Sequence, residues 1–465
     1  MRFIQSLYIA PILVAAICLT ACSKKLDDPR PDTSIGKDQV TPGDIPLLIN
    51  GMYKKLTGGF YAQPYVVFDV YSDDIISRQG GVANLFNPVS YDDNNPLIED
   101  GFGNMRYYSA AFSAIGDANF IINYIRSNNL TALNTYLGEA LAVRAYGYQK
   151  LGEAYGGVVI TLGMGQEAIQ RKQNTENEVF ERVETDLKEA IPLLSSFASA
   201  DIMSKEAATL LLARLYLNRK RTDEAGQLAT QVINAPALVL SSNSFLNSFL
   251  FNNTGNRELL FRITEGPVPT AYDRSGLFTY YSPGTPFKGP SGGTGNGQTW
   301  LDPVLAASYE AGDIRKKALL NQYSSLAGGT VTFLMKFSAD TLQSAASTFY
   351  VYPLIRLSEA YLIAAEVAAQ KGVVDVTYYN TLRQARNATL KSNADFGSAP
   401  LFLEEIEKER RREFVGEGLR WQDMRRYNKA LPFLTAKGKD STRFYLPFAT
   451  TERSRNPLLE QNKGY

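Results

Sequence analysis

The sequence predicts an all-α protein of tetratricopeptide-like helix pairs, with one loop-rich irregular face and a few short strands. Three observations carry this. Apolar residues recur at the 3,4 spacing of helices in two long regions, about 100–235 and 353–430. Tyr148, Leu151, Gly152 and Tyr155 keep the W-x2-L-G-x2-Y spacing of a tetratricopeptide first helix, with Tyr replacing Trp, and Leu212, Ala213, Tyr216 and Ala225 fall on later offsets of that repeat. Between the two regions, residues 236–350 break the pattern, and 266–298 are dense in Gly, Pro, Ser and Thr.

The chain opens with Met1-Arg2 and an apolar run from Leu7 to Leu19, short of the roughly 20 residues that span a bilayer as a helix, so residues 1–21 read as a secretion signal. Leu19-Thr20-Ala21-Cys22 matches the bacterial lipobox, which makes Cys22 an acylation site and the new N-terminus. Residues 22–40 are charged and Pro-rich, the composition of a flexible tether, and residues 41–465 read as a single body. A first amphipathic helix is expected over Asp44–Leu56, from Ile45, Leu48, Ile49, Met52 and Leu56.

From Phe60 to Asn95 the chain is irregular, aromatic and polar, with Asp73, Asp74, Arg78, Tyr91 and Asn94 among its polar groups. Helical patterns resume over Met105–Asn128 and Thr135–Tyr155, then from Val179, then over Ser204–Asn234. Glu258 to Ile263 alternates like a strand. Tyr280, Tyr281 and Trp300 interrupt the glycine-rich insertion, and so long a loop inside a helical body argues for function. Aromatic rings on such a loop suit a sugar face, with Asp73, Arg78, Tyr91 and Asn94 placed to bond hydroxyls. The plainer account of each ring is packing.

Glu404 to Tyr427 is the densest charged stretch. Its apolar residues Leu403, Ile406, Phe414 and Leu419 are too sparse for an ordinary amphipathic helix, so something must face its charges. Glu404/Lys408 and Glu407/Arg411 stand at i,i+4, acid first. Gly416 and Gly418 signal a helix stop in the left-handed region and a second helix starting near Arg420 and Trp421. The expected arrangement is a helical hairpin in which Glu413, Arg420 and Asp423 satisfy one another in a partly buried network. Glu409 and Glu413 could instead form a catalytic carboxylate pair, but the surrounding arginines would keep both ionised.

Composition removes other chemistries. The 465 residues include no histidine, and Cys18 and Cys22 are the only cysteines, which excludes His-dependent nucleophilic sites and any disulfide, thiolate metal or CxxC site in the body. Both Gly-Lys pairs are followed by Asp, so there is no phosphate-binding P-loop. Without residues 1–21 the chain carries 47 bases against 47 acids, and nothing in that balance attracts nucleic acid. No cofactor or metal is expected.

Several stretches together resemble the SusD/RagB family of outer-membrane nutrient-binding lipoproteins. The C-terminal signature is carried by Glu407, Arg410, Arg411, Glu413, Phe414, Glu417, Gly418, Arg420, Trp421 and Asp423. Family motifs are matched by Asn50-Gly51-x-Tyr53, Gly138-Glu139-Ala140, Arg144, Tyr155-Gly156, Lys205, Ala207, Arg214, Asp313-x-Arg315, Lys336-Phe337, Pro353-x-x-Arg356-x-x-Glu359, Glu366 and the closing Gln461-Asn462-x-Gly464-Tyr465. One departure follows Arg383, where the expected second arginine is Ala385 and Arg386 comes one later.

The resemblance implies a SusD-like fold and a non-catalytic, surface-facing lipoprotein of the cell outer membrane, anchored through Cys22 and sorted by Lys24-Lys25-Leu26-Asp27-Asp28. Its implied role is the lid of a SusC-type TonB-dependent transporter that captures an oligosaccharide or other nutrient. It also places Asp73 or Asp74 near the ligand pocket and makes Glu413, Arg420, Trp421 and Asp423 a structural signature. Two alternatives are a peptide-binding or assembly lipoprotein of the same complex type, and a surface glycosidase with paired carboxylates.

Overall fold

The computed structural model describes residues 39–56, 68–69, 71–77, 102–163, 171–242, 255–263, 281, 299–324, 329–336 and 352–465, so Cys22, Arg78, Tyr91, Asn94 and Tyr280 lie outside the described residues. The chain divides into a leading unit, residues 1–46, and a body, residues 47–465.

The first helix, α1 (Ile45–Leu56), buries Ile49, Met52 and Leu56 at the predicted spacing. Strand β1 (Ile75–Ser77) lies within the aromatic stretch from Phe60 to Asn95. Then α2 (Phe102–Ser127), α3 (Asn134–Tyr155) and α4 (Glu176–Ala190) pack in sequence, α3 between its two neighbours. That central position explains why α3 is buried along nearly its whole length. A Cβ on Gly152 would lie 3.0 Å from the Phe180 ring of α4, so the glycine sets how close the two helices come. Arg144 of α3 forks onto Asp186 of α4 at 2.7 and 2.8 Å and donates to Asn119 of α2 at 2.9 Å, so one buried guanidinium joins three helices.

The predicted run 204–234 resolves into α5 (Lys205–Asn218) and α6 (Thr222–Ile233), broken at Lys220, whose φ of 60° cannot continue a helix. Strand β2 (Leu259–Ile263) matches the alternating stretch. Next come β3 (Thr299–Leu301), α7 (Pro303–Ala307), α8 (Ile314–Leu319), β4 (Leu320–Ser324) and β5 (Thr330–Leu334). The second helical region differs from expectation at its start: residues 352–356 form β6 (Tyr352–Arg356), antiparallel to β2 with Arg262 opposite Pro353, and the helix begins only at Leu357. A proline that cannot donate is tolerated in so small a sheet because it has just one partner strand.

Helices α9 (Leu357–Gln370), α10 (Thr377–Ala385), α11 (Ala399–Phe414), α12 (Arg420–Arg426), α13 (Ala430–Thr435) and α14 (Thr450–Arg455) complete the chain. Helix α6 packs on α9, with Gly226 against Val367, and this contact joins the two helical regions. The closing motif acts as a clasp: Asn462 donates to the Tyr155 and Leu446 carbonyls at 3.0 and 2.8 Å, tying the tail to the end of α3. Tyr146, Tyr148, Tyr155 and Tyr379 are fully buried, so these rings pack helices together. The fold is mostly helical with three two-stranded sheets among the described residues, as the sequence predicts.

Candidate functional site

Helix α11 presents its charges inward. Glu407, Glu409, Arg410, Arg412 and Glu413 are all buried beside Phe402, Ile406 and Phe414. Gly416 and Gly418 take φ of 81° and 67°, the left-handed stop their sequence predicts, and turn the chain into α12. The partners differ from expectation. Glu413, Arg420 and Asp423 do not pair with one another. Each has its own set of partners.

Glu413 accepts from three guanidiniums: Arg315 at 3.0 Å, Arg356 at 2.7 Å, and Arg386 at 3.0 and 2.7 Å. Glu258 binds Arg356 and Arg386 at 2.8 and 2.6 Å, and Glu417 binds Arg356 and Lys336. Asp313-x-Arg315, Lys336, Arg356 and Glu413, read from the sequence as separate motifs, are therefore one buried network. Arg386 belongs to it although it departs from the family spacing. It lies one helical turn beyond Arg383, which pairs with Glu409 at 2.7 Å, so α10 offers both arginines to α11.

Burial alone would raise the Glu409 and Glu413 carboxyls, but the surrounding guanidiniums outweigh it and hold both below the ordinary range. Neither can carry a proton to a substrate near neutral pH, in line with the sequence-based reading that both stay ionised. Asp423 accepts from Arg410 at 2.8 and 3.0 Å and pairs with Arg426 at 2.8 Å. The predicted i,i+4 pairs are not formed: Glu407 binds Arg420 and Lys429, Arg411 binds Asp74, and Lys408 sits 3.6 Å from Glu405.

The same scaffold fastens the loops. Arg420 grips Asp73 at 2.6 and 2.9 Å, and Arg411 donates to Asp74 at 2.7 Å. Burial raises Asp73, but its bonds with Arg420 more than offset that and leave it lowered. Its side chain keeps 29% exposure, and carboxylate oxygens have further lone pairs, so Asp73 can still accept from a hydroxyl. Strand β1 pairs with β3, setting Ile76 opposite Trp300, while the Asp302 N–H donates to the Asp74 carbonyl at 2.9 Å. The ring of Trp300 is partly buried against Phe333 and Met335. Asp73 lies two residues before β1, whose Ile76 stands opposite Trp300, so segments more than 200 residues apart in the sequence are joined here.

Tyr281 is a correction. It is 1% exposed, and its hydroxyl donates to Asp69 at 2.5 Å, so the ring offers no face to a sugar. Asp69 also accepts from the Gly418 N–H at 2.7 Å and so ties the insertion to the turn before α12. The sequence reading missed Asp69; its position before the aromatic Tyr71 gave no signal of a partner so distant.

Burial pushes Asp69 up to about 7 and Asp74 up to about 6. For Asp69, a folded value above the unfolded one means the native state binds more protons from about pH 4 to 7, so its contribution to stability falls as pH rises through that window. Asp69→Asn removes the titration. The stability of wild type relative to this variant is expected to drop between pH 5 and pH 8, by up to roughly 3 kcal/mol, in urea denaturation at the two values. A constant difference would show that Asp69 does not titrate there.

Residues 32–217 match the family described as starch-binding associating with outer membrane, and residues 329–438 match the SusD family. A SusD-like protein of Formosa agariphila is 24% identical over 98% of both chains. Among solved structures, a SusD superfamily protein from Bacteroides vulgatus has a TM-score of 0.75 at 24% identity, covering 91% of this chain and 99% of that one. Surface glycan-binding protein A from Bacteroides fluxus has a TM-score of 0.74 at 22% identity, covering 92% and 100%. With residues 32–217 and 329–438 both matching SusD family models and a relative matched over 98% of both chains, the chain belongs to the SusD/RagB family.

Proposed function

We propose that this protein is a non-catalytic glycan-binding lipoprotein, anchored through Cys22 at the outer membrane and facing outward, that serves as the lid of a SusC-type TonB-dependent transporter. The observation that carries the binding part is the bracing of Asp73 and Trp300 by Arg420, Arg411 and the β1–β3 pair, which holds a polar and an aromatic group on one rigid base. Glu409 and Glu413, the pair a glycosidase reading would use, are saturated by arginine, which supports binding without cleavage. Arg78, Tyr91, Asn94 and Tyr280 are further candidates for ligand contact. The name of the Bacteroides fluxus protein supports a glycan as the ligand class.

The experiment joins capture and binding. Mild-detergent pull-down of the lipidated protein should recover a TonB-dependent transporter in stoichiometric amount, and a glycan panel should show affinity with no product. Trp300→Ala is expected to weaken glycan affinity at least tenfold, measured by calorimetry, with Trp300→Phe retaining most of it. Unchanged affinity in Trp300→Ala would remove this ring from the site, and release of shortened sugars would establish an enzyme.

A further inference from the structure

A cleft of about 230 Å³ lies on the helical-repeat side, lined by the end of α3, the first turns of α4, the end of α5, and α12. Four cationic side chains and two carboxylates line it. Two of these charges are spoken for: Glu153 pairs with Lys150 at 2.7 Å, and Arg426 with Glu366 at 2.7 Å. Of the rest, Arg219 lies over the Phe180 ring and donates to Asn177, Arg425 donates to the Tyr445 hydroxyl at 2.7 Å and reaches Glu176 at 3.4 Å, and Lys220 has no ion pair among the described residues. The mouth is therefore net positive.

Lys220 is out of place by backbone criteria. Four non-glycine residues among those described have positive φ, each just past a helix end; three are asparagines, Asn129, Asn387 and Asn428, and the fourth is Lys220. Asparagine tolerates the left-handed region through its short polar side chain, and lysine does not. Lys220 stands exposed at the mouth of this positive cleft, with no ion pair among the described residues, so its ammonium group is available to an anion.

The lining also says what kind of anion fits. Gln149 is 1% exposed, and its Oε1 has no hydrogen-bond partner, while its amide donates to Glu153. With Glu176 only weakly engaged, the cleft offers acceptors beside its cations. A bare sulfate or phosphate brings no donors for these acceptors; a hydroxylated acid brings both. The volume is below the roughly 300 Å³ where pockets for drug-sized ligands begin, enough for one ring and not for a chain.

We propose that this cleft is a second carbohydrate subsite, separate from the Asp73–Trp300 face, that takes an acidic sugar residue of the uronate type. Lys220 and Arg425 face its carboxylate, and Gln149 accepts from a ring hydroxyl.

The test uses the full chain in detergent, with galacturonate and glucuronate trimers and a neutral maltotriose, followed by calorimetry. Lys220→Gly is the informative variant, because glycine favours positive φ and the change removes the ammonium without straining the turn. At least one acidic trimer is expected to bind wild type. That affinity should fall at least tenfold in Lys220→Gly and again in 0.5 M salt, with the variant melting no lower than wild type. Excess maltotriose should not displace the bound acidic trimer, which separates this subsite from the loop face. Binding of neither acidic trimer, equal affinity in Lys220→Gly, equal binding of maltotriose, or equal competition by inorganic sulfate or a peptide with a free C-terminal carboxylate would each overturn the proposal.

Discussion

Glu413→Gln is expected to cost about 4 kcal/mol of folding stability, a large share of the ~5–15 kcal/mol that holds a typical domain together. The residue is 0% exposed and is the common acceptor of Arg315, Arg356 and Arg386. Glutamine keeps the shape but removes the charge, and its amide turns a donor toward groups that can only donate. Partial relief comes from Glu258 and Glu417 for Arg356, and from Asp313 and Glu409 for Arg315, which is why the loss should fall short of three separate ion pairs. The cost is that of uncompensated buried guanidiniums and exceeds what the intact network contributes net. Urea midpoints of Glu413→Gln and of Glu404→Gln, an exposed position on the same helix, measure it. A shift no larger for Glu413 than for Glu404 would refute a structural role for the network.

The same carboxylates set the acid limb of stability. Glu409, Glu413 and Asp423 lie below their unfolded values, Asp423 at about 2, so their contribution is present above about pH 4 and is lost as pH falls through the folded values. Asp69 and Asp74 act in the opposite sense at higher pH.

Helix existence, the left-handed stop at Gly416 and Gly418, and the tetratricopeptide spacing around Gly152 were legible because they are written in local spacing. The ion partners were not. Arg420 and Asp73 are 347 residues apart, and Arg356 and Glu413 are 57 apart, whereas i,i+3 and i,i+4 arithmetic sees only one helix face. That is why the sequence suggested Glu407/Arg411 and a mutual Glu413–Arg420–Asp423 set, whereas Glu413 and Arg420 turn to long-range partners and Glu407 and Asp423 pair across the α11–α12 turn. Tyr281 misled for a related reason: in a glycine-rich stretch a ring that stacks on a ligand and one that donates to a buried aspartate have the same local signature. The density of charge at α11 did signal burial, since a solvated helix needs no such match of acids to arginines.

The two tryptophans allow the scaffold and the proposed binding face to be separated in one experiment. Trp421 is 0% exposed, meets Tyr71 edge-on at 4.4 Å between ring centroids, and donates its indole N–H to the Phe444 carbonyl at 3.2 Å. Removing so large a buried ring costs about 3–5 kcal/mol, from the lost transfer energy and the cavity left behind. Trp421→Ala should therefore lower the urea midpoint strongly and loosen the segment from Asp69 to Ser77, because Tyr71 loses its partner beside the Arg420–Asp73 clamp. With only two tryptophans in the chain, the emission of this variant comes from Trp300, which reports the β1–β3 pair directly. The expected result is a red-shifted Trp300 emission and weaker glycan affinity in Trp421→Ala, both largely restored in Trp421→Phe. Trp300→Ala should show the complement, an unshifted Trp421 emission and a nearly normal midpoint with affinity lost. If Trp421→Ala were as stable as wild type with Trp300 undisturbed, the signature would not be what holds the binding face in place.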